Sequence, residues 1–303
     1  MIYKHYTINI KMNSIPLVTV IVPSYNHRNY LEQCLDSIKN QTFHDFQWIV
    51  VDDGSSDGSQ GFLKERQSFY GYELILQKNK GVSVTLTETL SLHAKGKYLA
   101  ACASDDAWLP NKLEIQVDYM ESHPNCAMCF GRTYKIDVNS NIIGDDSYKS
   151  HLYKGGSIFD DIITQKFHPP VNYMQRIDVL KSLGYYPKGI IAEDFYMNCK
   201  IALNYEIGYI PEFLGYYREA PLVSKRDPYS LVKSHEDTIM LYKSQPIFNR
   251  AIKLSNLRTF LKISPYKKYK LLSLKYMMGS LSLIRDKRFL KALSFWFGKW
   301  YTL

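Results

Sequence analysis

A chain of 303 residues with 46% hydrophobic and 22% charged residues can bury one large core with an appendage, and its glycine and proline content excludes a disordered or fibrous protein. The formal net charge of +9 is uneven: residues 250–303 carry thirteen Lys or Arg and one acid, a net of +12, whereas residues 1–249 sum to −3. No apolar run reaches the ~20 residues of a membrane-spanning helix, residues 1–12 lack the apolar segment of a secretion signal, and five scattered cysteines do not form a disulfide framework.

In chain order, Leu17 to Val22 is a β-branched run ended by Pro23, and Gln47 to Val51 is another ended by Asp52-Asp53-Gly54. Between them Leu31, Cys34, Leu35 and Ile38 have the spacing of an amphipathic helix over Tyr30 to Asn40. Further strands are predicted at Glu73 to Gln77 and Tyr98 to Ala103, with helices at Val82 to His93 and Lys112 to Ser122. This alternation predicts a mostly parallel sheet with helices on both faces, whose ligands bind beyond the carboxyl ends of the strands. Tyr25, Asp53, Asp105 and Asp106 all fall just after a predicted strand. Cys126 and Cys129 have the spacing of a metal or redox pair, but no second pair follows, so with Cys34, Cys102 and Cys199 they read as buried thiols of a reducing cytosol. A hairpin is expected from Cys129 to Ile143 around Asp137 to Asn141, then a helix from Asp194 to Asn204. The expected division is an N-terminal extension at 1–15, a catalytic domain at 16–225 and a basic helical extension at 226–303. The catalytic domain splits into a nucleotide half of about 16–110 and an acceptor half of about 111–225.

Taken singly, each polar loop has an ordinary reading. Asp105-Asp106 before Trp108-Leu109-Pro110 makes a polar turn, or, if buried, a pair that needs a cation such as Mn²⁺ or Mg²⁺ beside substrate phosphates. Tyr25 fills core volume or stacks on a base; Asp53 caps a helix or accepts the imide N–H of a uracil. Glu193-Asp194 opens a helix, where acids are favoured by its dipole.

Taken together, Thr19 to Asn26 (TVIVPSYN), Gln41-Thr42-Phe43, Val50 to Asp57 (VVDDGSSD), Asn79 to Ser83 (NKGVS), Ser104-Asp105-Asp106 with Trp108 to Glu114 (WLPNKLE), and Glu193-Asp194 resemble, in order, the motifs of the family-2 inverting glycosyltransferases. The resemblance covers residues 17 to about 224. It implies the GT-A fold, a UDP-hexose or UDP-N-acetylhexosamine donor, a divalent metal (Mn²⁺ or Mg²⁺), and a lipid-linked (undecaprenyl-diphosphate) or oligosaccharide acceptor in bacterial O-antigen, capsule or exopolysaccharide synthesis. It further implies that Tyr25 and Asp53 hold the base beside the backbone of Pro23, that Asp105 faces the ribose and Asp106 the metal, and that Asp194, next to Glu193, is the catalytic base. An inverting transfer needs such a carboxylate on the sugar face opposite the leaving nucleotide.

Three departures from the family pattern matter. Ser104 stands where an Asp is frequent, so metal binding rests on Asp106. Leu86-Thr87 replaces a common Arg-Asn, leaving Arg218 or Lys225 as candidates for the diphosphate. The Gln-x-x-Arg-Trp motif of processive synthases is absent, which implies one sugar added per binding event. Trp108, His168 and Tyr173 are candidates for the acceptor cleft.

No G-x-G-x-x-G turn follows the first strand, which argues against a dinucleotide oxidoreductase. The alternative from another class is a catalytically inactive nucleotide-sugar-binding subunit that docks through its basic tail. That tail, Lys267-Lys268-Tyr269-Lys270 and then Phe289 to Trp300 (FLKALSFWFGKW), reads as an interfacial helix on an anionic membrane at the inner face of the cytoplasmic membrane, or as a helix packed on the catalytic domain. No nucleic-acid recognition motif accompanies the charge.

Overall fold

The computed structural model describes residues 15–146, 150–219 and 227–298. Strand and helix alternate through β1 (Val18–Ser24), α1 (Leu31–Lys39), β2 (Phe46–Asp52), α2 (Ser59–Tyr70), β3 (Glu73–Leu76), α3 (Val82–Leu92) and β4 (Tyr98–Ala101). β1 pairs in parallel with both β2 and β4, and β2 with β3. There follow β5 (Ala107–Trp108), α4 (Lys112–Ser122), β6 (Cys126–Ile136), β7 (Ile142–Asp145), α5 (Phe159–Ile163), β8 (Met174–Arg176), α6 (Ile177–Ser182), α7 (Glu193–Asn204) and β9 (Glu206–Arg218). They complete a nine-stranded sheet in the order β3-β2-β1-β4-β8-β6-β9-β5, with β7 paired to β6. β8 runs antiparallel to β4 and β6, and β6 lies parallel to β9.

The β-branched runs are buried on both faces. Val18, Val20 and Val22 point into one core with Leu31, Leu35 and Leu113, whereas Ile21 and Leu99 point into the other with Leu86, Leu90 and Phe195. A sheet covered on two sides needs apolar side chains at every position, and these strands supply them. All five cysteines are free and buried, Cys126 and Cys129 within β6. β6 and β7 form the antiparallel pair expected around Asp137 to Asn141.

Two elements, α2 and β9, were not anticipated from the sequence. α2 buries only Ser59, Phe62, Leu63 and Tyr70, a stripe too thin to stand out as periodicity. β9 runs straight through Pro211, which reads as a strand breaker. Its partners on β6 jump there, from Phe130 opposite Tyr209 to Arg132 opposite Phe213, so an irregularity absorbs the residue that cannot donate.

After β9, four helices, α8 (Pro228–Met240), α9 (Phe248–Ile263), α10 (Lys270–Gly279) and α11 (Lys287–Phe297), close over a third core. It is built from Leu257, Phe260, Ile263, Tyr269, Tyr276, Phe289 and Ala292. Phe289 of α11 meets Phe260 of α9 with ring centroids 5.6 Å apart, so part of the apolar face expected at a membrane is packed on protein. Among the described residues no helix is long and apolar enough to cross a membrane.

Candidate active site

Parallel pairing aligns the ends of β1, β2 and β4, so the loops after them share one edge of the sheet. Side-chain hydrogen bonds lock these loops to one another. In the first loop Asn26 has φ of +56°, a conformation that Asn tolerates better than most residues. Its N–H donates to Ser55 Oγ (2.9 Å), and its Oδ1 accepts from the Ser56 N–H (2.8 Å). Two residues on, the Arg28 N–H donates to Asp57 Oδ2 (2.9 Å). Tyr25, at the tip, is 48% exposed, an aromatic face open to solvent beside the half-buried Pro23.

Asp53 is 5% exposed and joins the second loop to the third. Its Oδ1 accepts from Gln77 Nε2 (2.7 Å) and the Lys80 N–H (2.9 Å), and its Oδ2 from the Gly81 N–H (2.9 Å). A carboxylate has about four acceptor positions, so this set leaves one open on Oδ2. Gly54 makes the approach possible. Its φ is +80°, and a Cβ there would lie 2.8 Å from the Asn79 nitrogen.

The acidic pair follows β4. His27 Nδ1 lies 2.9 Å from Ser104 Oγ and 3.6 Å from Asp105 Oδ1, which ties the first loop to this one. Asp105 is partly exposed, whereas Asp106 is 7% exposed with its Oδ1 accepting from the Arg218 N–H (2.8 Å). Burial, reinforced by the Asp105 charge, holds the Asp106 carboxyl well above the usual carboxylate range, against the pull of Arg218. Among the described residues no group of three or more His, Cys, Asp or Glu could hold a metal ion. The donor set nonetheless fits a hard divalent cation that keeps substrate phosphates in its shell, and a cation would compensate the buried charge.

Arg218 is 3% exposed and committed elsewhere. Nε donates to the Asp105 carbonyl (2.8 Å), Nη1 to the Asp137 carbonyl (2.6 Å) and Nη2 to Gln33 Oε1, while the guanidinium lies over Tyr30 at 4.3 Å. It holds the acidic loop from behind instead of presenting a free cation to a diphosphate. Lys225, the other candidate, lies outside the described residues. Trp108 is 5% exposed and belongs to the core, with Lys112 Nζ 3.9 Å from its ring centroid, so it forms no open wall for an acceptor.

The segment before Glu193-Asp194 is fastened to α3. Ser83 Oγ donates to the Ile190 carbonyl (2.9 Å), Thr87 Oγ1 to the Tyr186 carbonyl (2.8 Å), and the Tyr186 N–H donates back to Thr87 Oγ1 (3.1 Å). Because Asp53 fixes Gly81 at the start of the same helix, the Asp53 loop and the entry to α7 are held by one element. Asp194 stands in the first turn of α7, partly exposed, its Oδ1 accepting from the Phe195 N–H (2.7 Å). Burial, then the charges of Tyr186, Asp194 and Glu193, push the Tyr173 hydroxyl up. His168 packs on Phe195 with centroids 5.5 Å apart. His168 is therefore brought to the α7 entry and Tyr173 packs against the same core as Phe195, whereas Trp108 belongs to the other core.

His27 and Gln77 were not singled out by the sequence, and Thr87 entered only as a departure from the family's Arg-Asn. Thr87 had a signal, since it lies four residues after Ser83 and shares its helix face.

Asp106→Asn should stabilise the protein at neutral pH in the absence of divalent metal. Because the folded carboxyl holds its proton above the unfolded value of ~3.9, folding stability falls as pH rises through that range, and asparagine removes the penalty while keeping an acceptor for the Arg218 N–H. Melting curves in chelator should diverge in favour of the variant as pH rises above about 4; parallel curves would contradict the electrostatic account.

Residues 19–184, more than half of the chain, match the sequence profile of Glycosyl transferase family 2, and the chain belongs to that family. An uncharacterized glycosyltransferase of Methanocaldococcus jannaschii is 32% identical over 220 residues, 71% of this chain and 73% of its own length. TuaG of Bacillus subtilis, named for teichuronic acid biosynthesis, is 37% identical over 117 residues, 38% of this chain and 46% of its own length, so the match spans less than half of that relative. Among solved structures, residues 1–349 of S. aureus TarS in complex with UDP-GlcNAc superpose with a TM-score of 0.62 at 18% identity, covering 94% of this chain and 93% of that one. The mannosyltransferase PcManGT of Pyrobaculum calidifontis, in complex with GDP-Man and Mn²⁺, gives 0.60 at 18% identity, covering 93% and 86%. The fold is GT-A, an α/β architecture with a mostly parallel nucleotide half and a C-terminal helical extension.

Proposed function

We propose that this chain transfers a single sugar, with inversion, from a UDP-hexose or UDP-N-acetylhexosamine to a hydroxyl of a lipid-linked or oligosaccharide acceptor in bacterial surface-polysaccharide synthesis. Tyr25 stacks on the uracil beside Pro23, and Asp53 accepts its imide N–H at the open position on Oδ2. Asp105 faces the ribose, and Asp106 would hold a Mn²⁺ or Mg²⁺ ion. Such an ion supplies compensation for charge on the leaving diphosphate. Asp194 takes the proton of the acceptor hydroxyl as its oxygen bonds to the anomeric carbon and the bond from that carbon to the diphosphate breaks. Glu193 flanks the base, and His168 and Tyr173 border the acceptor.

The observation that supports this reading best is the α3 connection, in which Gly81 binds Asp53 and Ser83 binds Ile190, four residues before Asp194. It ties the Asp53 loop and the segment leading to Asp194 to the first turns of one helix, which supports a shared site. In this reading residues 16–225 carry the chemistry and 226–303 the attachment. Exposed Leu271, Met278, Leu281 and Ile284 beside Lys267, Lys268, Lys275 and Arg285 suit an anionic membrane surface at the cytoplasmic face.

A thermal-shift screen of nucleotide sugars tests the donor and the metal together. A UDP-sugar with Mn²⁺ at about a hundredfold excess over Kd should raise Tm by roughly 5 °C or more, and chelator should abolish the shift. An equal shift with chelator, or a shift only with purine nucleotide sugars, would contradict the assignment.

A further inference from the structure

α8 lies in the extension just assigned to attachment, yet two consecutive residues of it grip the entry to α7. Ser234 Oγ accepts the backbone N–H groups of Ile191 (3.3 Å) and Ala192 (3.1 Å). Ala192 is the N-cap of α7 and has no side-chain oxygen of its own, so nothing in its own side chain fixes how the chain enters the helix. The next residue, His235, packs on Phe195 with ring centroids 4.7 Å apart and stacks on His168 at 5.7 Å. Phe195 is the residue whose N–H donates to Asp194 Oδ1. α8 therefore pins the chain on both sides of Asp194, the two residues before Glu193 through a hydroxyl and the residue after Asp194 through a ring. Burial first, and then His168, hold the His235 ring down at about 4, against the pull of Asp194, so the imidazole is neutral at ordinary pH and brings no charge of its own beside the carboxylate.

We propose that Ser234 and His235 are positioning residues for Asp194, so that the C-terminal helices belong to the catalytic machinery as well as to attachment. The inference rests on Asp194 as the base, and its test separates the two. A carboxylate base that must meet an acceptor hydroxyl at hydrogen-bond distance is sensitive to small displacements, since a shift of about 1 Å can cost about 10²-fold in rate. Donor binding in that reading runs through Tyr25, Asp53 and the acidic pair, none of which Ser234 or His235 contacts, so it should respond less to that shift.

In the full chain, assayed with its UDP-sugar donor, Ser234→Ala should lower kcat by about 10–100-fold while the donor KM stays within about twofold. Ser234→Thr, which restores the acceptor oxygen, should recover most of the rate. His235→Ala should lower kcat similarly, whereas His235→Phe, which keeps the ring packing, should not. Should the alanine variant not fold, Ser234→Cys, with a weak acceptor of similar size, gives the same comparison. Wild-type kcat in Ser234→Ala and His235→Ala, or a loss confined to donor KM, would overturn the inference. Asp194→Asn run alongside distinguishes the failures: if it is inactive while the Ser234 and His235 variants are not, only the positioning role falls. If Asp194→Asn transfers sugar normally, the base assignment falls first.

Discussion

Replacing Asp194 with asparagine is expected to lower kcat by about 10²–10⁴-fold, the range associated with general acid–base catalysis, and to leave UDP affinity nearly unchanged. Asparagine preserves size and can still accept the Phe195 N–H through its carbonyl oxygen, so the entry to α7 should keep its shape. What it lacks is a site for the acceptor proton. Because the proposed UDP contacts run through Tyr25, Asp53 and the acidic pair, a drop in kcat without a change in UDP binding would separate proton transfer from donor capture. Parallel losses in both would point to collapse of the loop network that α3 holds together.

Deleting residues 265–303 is expected to cost the fold. The deletion removes Tyr269, Tyr276, Phe289 and Ala292 from the third core and leaves Leu257, Phe260 and Ile263 of α9 facing water. At ~1.5–3 kcal/mol for each large buried side chain, the loss is a large share of a typical margin of ~5–15 kcal/mol. It also strands a polar cluster: Tyr276 OH donates to Glu236 Oε2 (2.8 Å) and lies 2.9 Å from Tyr229 OH, so the buried Glu236 of α8 loses a partner. α8 is the helix that carries Ser234 and His235. The truncated chain should therefore be aggregation-prone, or melt well below the full chain and lose transfer with it. A soluble truncation with an unchanged UDP-dependent Tm would show that α10 and α11 are an independent attachment.

The nucleotide half was legible because its signals are local. Val18 to Val22, Ile49 to Val51 and the Leu31, Cys34, Leu35, Ile38 stripe each declare an element within one window, and the observed bounds of α4 are those the periodicity gives. Acids just past strand ends were visible for the same reason. The connections between loops were not. Thr87 meets Tyr186, His27 meets Ser104 and Ser234 meets Ala192 across separations that no local pattern encodes. Arg218 shows the same limit from the other side, because it was a candidate for the diphosphate only in place of the Arg that Leu86-Thr87 lacks. Only the fold reveals that Asp137, Gln33 and the Asp105 carbonyl already occupy it. In the tail, the mixture of Lys with Leu, Phe and Trp suited both membrane and protein, and the structure turns Phe289 and Ala292 inward while Leu290 and Phe297 remain exposed.

The arrangement of donor and base is tested most directly by a crystal structure of the Asp194→Asn variant with its UDP-sugar and Mn²⁺. The pyrophosphate should lie at Asp105 and Asp106, with residue 194 across the sugar ring on the face of the anomeric carbon away from the leaving oxygen, separated by space for one hydroxyl. A donor bound elsewhere, or residue 194 on the same side as the diphosphate, would contradict it.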